Sequence, residues 1–128
     1  MYTDDEVMKL RGADLRVLEA LSEKPRRFTM LKELTGISSK TLWDALQSLQ
    51  EKGLVEEDEF KIYRITEQGR KFLANNRAIV TLAHLKLMVG KLHRESLTRP
   101  ITEEDVEKLE KLVRKLRNEV THGKEMKK

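Results

Sequence analysis

The chain has 128 residues, with 26 Lys and Arg against 22 Asp and Glu for a formal charge of +4, and no cysteine. This length suits one compact domain with an extension rather than two independent domains, and the lack of cysteine excludes a disulfide framework, a thiolate metal site and a cysteine nucleophile. The opening residues lack the basic start and apolar run of a secretion signal, and the most apolar stretch, Ala78 to Gly90, is interrupted by His84 and Lys86, falling short of the roughly 20 apolar residues of a membrane span, so a soluble cytoplasmic protein is expected.

In chain order, Thr3 and Glu6 have capping-box spacing for a short helix through Leu10 that ends near Gly12. Asp14 to Glu23 repeats apolar residues at Leu15, Leu18 and Leu21, an amphipathic helix stopped by Pro25. Thr29 is placed to cap a second, short helix to Thr35, with Leu31 and Leu34 on one face and Gly36 ending it in a left-handed conformation. Ser38 caps a third helix, and Ile37 can staple against Leu42. That helix runs to about Lys52 with Leu42, Ala45, Leu46 and Leu49 toward the core.

After Gly53 the period becomes alternating. Leu54 and Val55 begin a strand, Glu56 to Glu59 make a polar turn, and Phe60 to Ile65 return, giving a hairpin. Thr66 caps a helix that carries Phe72 and Leu73 and ends or bends at Asn75-Asn76. An apolar helix follows from about Arg77 to His93, then a loop from Glu95 to Pro100 and a final helix opened by Thr102 and Asp105 that runs to about Val120. The fold class expected is mainly α with a small β wing, organised as a winged helix-turn-helix over residues 1–76 and a C-terminal helical region over 77–128.

Two helices joined by a tight turn and followed by a two-stranded wing carry a family signature. The run RRFTMLKELTGISSKTLWDALQSLQEKGLVE, closed by YRITEQG, resembles the DNA-binding core of the HxlR, MarR and PadR-type regulators of archaea and bacteria, HxlR most nearly. The distinctive parts are the RRF before the second helix, the GIS turn, the LxxLxxKGLV passage and the exit from the wing. The resemblance implies a transcriptional regulator whose partner is double-stranded DNA. Charged residues form 38% of the chain while Asn and Gln are scarce, a balance reported for proteins from hot environments, so an archaeal or thermophilic origin is expected.

In such a fold the third helix enters the major groove. With its leucines inward, about 100° per residue leaves Lys40, Asp44, Gln47 and Glu51 outward and Ser39, Trp43 and Ser48 on the flanks. Lys40 suits guanine or a phosphate, Gln47 adenine, and Asp44 cytosine N4; Ser38 and Ser39 suit a phosphate at the helix N-terminus. The plain alternative is that Ser38 only caps, Lys40 and Asp44 form a surface ion pair, and Gln47 is solvated. Trp43 either touches a thymine methyl or a protein partner or packs under the wing, the last being the preferred arrangement. Arg26, Arg27, Lys61 and Arg64 are the further candidates for the DNA backbone, each with a plain reading as a solvated charge. The wing departs from related regulators, because Glu56, Glu57, Asp58 and Glu59 stand where a basic tip is common.

Charge is unevenly spread. Through Asn75 there are 13 Lys and Arg against 14 Asp and Glu, a balance of −1, and from Asn76 onward 13 against 8, a balance of +5. The apolar helix repeats Ala78, Leu82, Leu85, Val89 and Leu92, and the last helix repeats Val106, Leu109, Val113, Leu116 and Val120 with Leu112 beside them. Such helices either form a two-fold dimer interface, the expected state, or fold back on the winged domain. Basic Lys108, Lys111, Arg114, Lys115 and Arg117 lie on the other faces, to hold DNA backbone or to keep the helix soluble. His84, His93 and His122 lack zinc-motif spacing, and no phosphate loop or nucleophile elbow occurs. No enzyme activity, metal or cofactor is expected, and no residue set specifies a small-molecule effector. Two alternatives stay open: a winged-helix module that binds protein in the transcription machinery, and weakly specific DNA or chromatin binding by the basic C-terminal helices.

Overall fold

The computed structural model describes residues 10–126, with side chains through Thr121; the helix expected between Thr3 and Leu10 falls almost wholly outside that range. The chain divides into two compact units, Met1–Asn76 and Arg77–Lys128. The first contains α1 (Gly12–Glu23), β1 (Arg26–Arg27), α2 (Phe28–Thr35), α3 (Ser39–Glu51), β2 (Val55–Glu57), β3 (Ile62–Ile65) and α4 (Glu67–Asn75). The second contains α5 (Arg77–Glu95) and α6 (Glu103–Met126).

The first unit is a winged helix-turn-helix. α1 starts at Arg11, whose backbone N–H donates to Asp14 Oδ2 at 3.1 Å while its guanidinium donates to Oδ1 at 3.2 Å, so one carboxylate satisfies the helix entrance. Val17, Leu18 and Leu21 of α1 meet a core that includes Leu31 of α2, Leu42, Ala45, Leu46 and Leu49 of α3, Leu54 and Phe72, all with essentially no exposed surface. Each buried leucine is worth about 1.5–3 kcal/mol relative to exposure. Leu34, expected on the same face as Leu31, is instead exposed on α2.

The helix-turn-helix link follows from two local features. Gly36 ends α2 at φ 70°, and its N–H donates to the Lys32 carbonyl at 2.9 Å. Ser38 then caps α3, its Oγ accepting from the Thr41 N–H at 3.4 Å, and Ile37 and Leu42 are both buried as a staple requires.

The wing is a three-stranded antiparallel sheet in the order β1-β3-β2, one strand more than the expected hairpin. Arg26 pairs with Tyr63 and Arg27 with Ile62, while Val55, Glu56 and Glu57 pair with Ile65, Arg64 and Tyr63. β1 also changes the start of α2. Arg27 is held extended in the sheet and serves as the N-cap residue, so Thr29 lies within the first turn and does not cap.

Thr66 caps α4, its Oγ1 accepting from the Gly69 N–H at 3.0 Å and donating to the Gly53 carbonyl at 2.7 Å. These two hydrogen bonds tie the first turn of α4 to the base of the wing. A Cβ on Gly69 would collide with the Leu54 carbonyl oxygen and stand 2.6 Å from Ile65 Cγ1, which is why the wing exit needs glycine.

In the second unit α5 and α6 pack on each other, and their connection is pinned by Arg99. Its guanidinium donates to Glu95 Oε1 at 2.8 Å and Asp105 Oδ2 at 2.8 Å. Asp105 also closes the capping box of α6, accepting from the Thr102 N–H at 3.0 Å while its own N–H donates to Thr102 Oγ1 at 3.2 Å. The Arg99 hydrogen bond, helped by the Thr102 N–H, holds the Asp105 carboxyl far below the usual carboxylate range. α6 continues past the expected end at Val120.

Gly69→Ala forces α4 away from β2 and β3, and overpacking of this kind costs about 1–3 kcal/mol. Equilibrium urea unfolding followed by circular dichroism should show a lower midpoint for Gly69→Ala than for Gly12→Ala, whose Cβ meets nothing within 4 Å.

Candidate nucleic-acid interface

Burial of the leucine stripe of α3 turns the opposite side of the helix outward. Ser38, Ser39, Lys40 and Trp43 are exposed there, whereas Asp44 and Gln47 are half-buried and stand lower on the surface. Ser38 is committed to the cap, since its Oγ also donates to Thr41 Oγ1 at 3.0 Å. Ser39 and Lys40 therefore lead the surface at the positive end of a 13-residue helix. Among the described residues Lys40 and Asp44 make no ion pair. The expectation that Trp43 packs under the wing is corrected: its relative exposure is 52%, so this flank of α3 is open to solvent.

The four cations assigned to the wing side have different duties. Arg26 Nε donates to the Ala20 carbonyl at 3.1 Å and its Nη2 to Glu23 at 2.8 Å, so it holds the last turn of α1. Arg27 Nη1 reaches across 33 residues to the Phe60 carbonyl at 2.8 Å. Arg64 lies 3.5 Å from Asp58. Lys61 is exposed, and among the described residues its ammonium makes no ion pair or hydrogen bond.

The wing tip is built by Asp58. Its Oδ1 accepts from the Phe60 N–H at 2.8 Å and the Ile62 N–H at 3.0 Å, and the Asp58 carbonyl accepts from the Lys61 N–H at 3.0 Å. The chain turns at Lys61, which takes φ 62°, a left-handed conformation that disfavours a Cβ. The bond from Ile62 first, then the bond from Phe60 and the nearby Arg64, hold the Asp58 carboxyl below its ordinary value. Glu57 is engaged as well: burial, then the charge and hydrogen bond of Glu57, push the Tyr63 hydroxyl up. Half of the acidic run is thus part of the wing's construction, and only Glu56 and Glu59 are left as free acid at the surface. The wing tip also presents Phe60 at 63% exposure, a surface aromatic that strand alternation gave no reason to single out.

The second unit separates the eight candidate interface residues. Leu92 is buried within the chain, Leu85, Leu109 and Leu116 are half-buried, and Leu82, Val89, Val106 and Val113 are exposed. Ile79 and Val120 are exposed with them. Among the described residues, no group of three or more His, Cys, Asp and Glu could hold a metal ion, and no helix is long and apolar enough to cross a membrane.

Comparison with known proteins agrees with this architecture. A family model described as HxlR-like helix-turn-helix matches residues 13–91. Among solved structures, the transcriptional regulator BldR from Sulfolobus solfataricus is 26% identical with a TM-score of 0.50, covering 84% of this chain and 76% of that one. A MarR-family transcriptional regulator from Silicibacter pomeroyi is 23% identical with a TM-score of 0.52, covering 86% of this chain and 72% of that one, and shares the fold. No curated protein matches the chain.

Two measurements test the wing turn. Because the folded pKa of Asp58 lies below its unfolded value of about 3.9, the stabilisation it provides is complete above that value and is lost as pH falls through the lower folded pKa. Hydrogen exchange at the Phe60 and Ile62 amides, corrected for its intrinsic pH dependence, should accelerate across that window, and Asp58→Asn should remove the step. Lys61→Gly relieves the left-handed backbone and should stabilise the first unit by about 1 kcal/mol in urea unfolding.

Proposed function

The chain belongs to the HxlR-like helix-turn-helix family, and on that premise we propose that it is a DNA-binding transcriptional regulator that engages operator DNA as a homodimer, with α3 in the major groove. The observation that carries this reading is the two-sided character of α3. One side is locked into the core through Leu42, Ala45, Leu46 and Leu49, and the other presents Ser39, Lys40 and Trp43 to solvent on a helix whose N-terminus is open.

In this reading Ser39 and Lys40 hold the phosphate backbone or a guanine edge, and Trp43 packs against a thymine methyl. Asp44 and Gln47, on the same side of α3, read cytosine N4 and adenine. Lys61 is the wing's contact to the flanking backbone, while Arg26, Arg27 and Arg64 shape the unit that presents it. The exposed apolar residues of α5 and α6 support assembly as a dimer, since six large apolar side chains, Ile79, Leu82, Val89, Val106, Val113 and Val120, are exposed on these two helices. A second reading, a protein-binding winged helix, is favoured by the exposure of Trp43 and by the −1 balance of residues 1–75.

Selection of bound sequences from random duplex DNA at two salt concentrations tests the reading. A consensus with two-fold symmetry is expected, and Gln47→Ala should relax preference at one position per half-site by about 1–3 kcal/mol. Lys40→Ala should weaken binding and lower the salt dependence by about one phosphate contact per half-site. A featureless pool overturns the operator reading, and an absence of duplex binding at low salt leaves the protein-binding alternative.

A further inference from the structure

The wing tip exposes a side chain that its construction does not use. Phe60 is 63% exposed, yet its backbone is held on both sides of the ring by other side chains. Its N–H donates to Asp58 Oδ1 at 2.8 Å, and its carbonyl accepts from Arg27 Nη1 at 2.8 Å. The Ile62 N–H donates to the same Asp58 oxygen at 3.0 Å, and the Asp58 N–H donates to the Ile62 carbonyl at 3.0 Å. None of these bonds involves the phenyl ring. An aromatic ring left in water on a backbone fixed in this way is pre-organised for a contact with a partner.

The charges on the wing select the chemistry of that partner. Arg27 is in register with Ile62, and Glu56 with Arg64, and side chains two apart on a strand share a face. Arg27, Ile62, Arg64 and Glu56 therefore lie on one face of the sheet, opposite buried Tyr63 and Ile65. Arg27 and Arg64 are exposed there, and exposed Lys61 directly follows the ring. Asp58 is turned into the loop, Glu57 bonds Tyr63, and Glu56 stands across from Arg64. The wing thus combines three exposed cations with one exposed aromatic ring. Duplex DNA matches that combination, with phosphates outside and stacked bases within.

We propose that Phe60 is a wedge that enters the minor groove beside a half-site and partly unstacks one base step, so that the operator is bent and the step beneath the wing is chosen by its deformability. This rests on the operator reading above and adds a specificity-determining residue to it. A phenyl ring has no donor or acceptor with which to read a base edge. What it distinguishes is how readily a step opens. An apolar side chain inserted between base steps kinks the duplex toward the major groove, the groove in which α3 lies. Opening is easy at TA and CA/TG steps and resisted by stiff A-tracts, so a flexible step is favoured where the protein makes no hydrogen bond to a base. Arg27, Lys61 and Arg64 then meet the phosphates that wall the groove, while the Asp58 carboxylate stays engaged in the turn.

The test uses the full chain and a duplex of the consensus recovered by selection. 2-Aminopurine is placed in turn over about five base pairs, half a helical turn, outside a half-site, and the duplex ends are labelled for energy transfer. The native chain should raise 2-aminopurine fluorescence at one step and shorten the end-to-end distance. Phe60→Ala should abolish both signals and weaken binding roughly tenfold, the scale of one aromatic stack on a base. Its urea midpoint should match that of the native chain, because the ring is exposed. Phe60→Leu, which supplies another apolar wedge, should keep the bend. Lys61→Asn, which tolerates the left-handed turn, should lower the salt dependence and leave the bend in place. An A-tract beneath the wing should weaken the native chain as much as Phe60→Ala does, and should not weaken Phe60→Ala further. Native affinity and bend in Phe60→Ala overturn the wedge and leave the ring for a protein partner. Weaker binding with the bend and the fluorescence signal intact also overturns it. No duplex binding by the native chain overturns the operator reading and the wedge together, whereas a failure of the wedge alone leaves the consensus unchanged.

Discussion

Burial of four residues on one side of α3 governs the surface on which the rest depends. Leu42, Ala45, Leu46 and Leu49 have no exposed area, so the rotation of α3 about its axis is fixed by the core and not by its polar residues. A rotation of one residue position, about 100°, would drive Trp43 and Gln47 inward and bring leucines into water at about 1.5–3 kcal/mol each. The outward identity of Ser39, Lys40 and Trp43 follows from that constraint. α1 supplies the opposing wall, and Arg26 holds its last turn in place by binding the Ala20 carbonyl and Glu23. This outward face is thus rigid because it is the back of a packed core.

The wing shows the same economy in its charges. A run of four acidic residues at the tip of a wing looks unfavourable for contact with nucleic acid when read as net charge. In the folded chain Asp58 is the internal scaffold of the turn, replacing a backbone partner for two N–H groups and holding Arg64. Glu57 is engaged by Tyr63. The cations are correspondingly occupied, with Arg27 bound to the Phe60 carbonyl. What the tip offers outward is Phe60 and Lys61, an aromatic and a cation held by a bonded turn.

Much of this was legible in the sequence where a local cause acts. Capping by Ser38 and Thr66, the stop at Gly36, the pairing of Thr102 with Asp105 at the start of α6, and the burial of Ile37 with Leu42 each depend on residues within five positions of one another, and each is found as expected. β1 was not legible, because two arginines carry no alternation and their pairing with β3 lies 35 or more residues away in sequence. The same distance hid the Arg27 contact to Phe60 and displaced the start of α2 from the Thr29 cap. Trp43 was misjudged because helical periodicity places it on a flank, and only the packing of the wing decides whether a flank is covered. In α6 the apolar repeat read as one seam, whereas the structure divides it into a leucine line facing inward and a valine line facing solvent. Period alone cannot separate two adjacent lines that share a helix.

The distribution of charge acquires a physical sense when the two units are considered together as sequence. Residues 1–75 carry a balance of −1 and the remainder +5, the reverse of what a DNA-binding unit would show if attraction to phosphate were its main source of affinity. Counterion release scales with the number of phosphates neutralised, and it supplies essentially all of non-specific binding. A reader with few cations therefore holds random duplex weakly, which raises the ratio of specific to non-specific affinity rather than the affinity itself. Under the proposed dimeric reading, affinity comes from engaging two half-sites at once, where the second contact is made at the high effective concentration set by a fixed spacing.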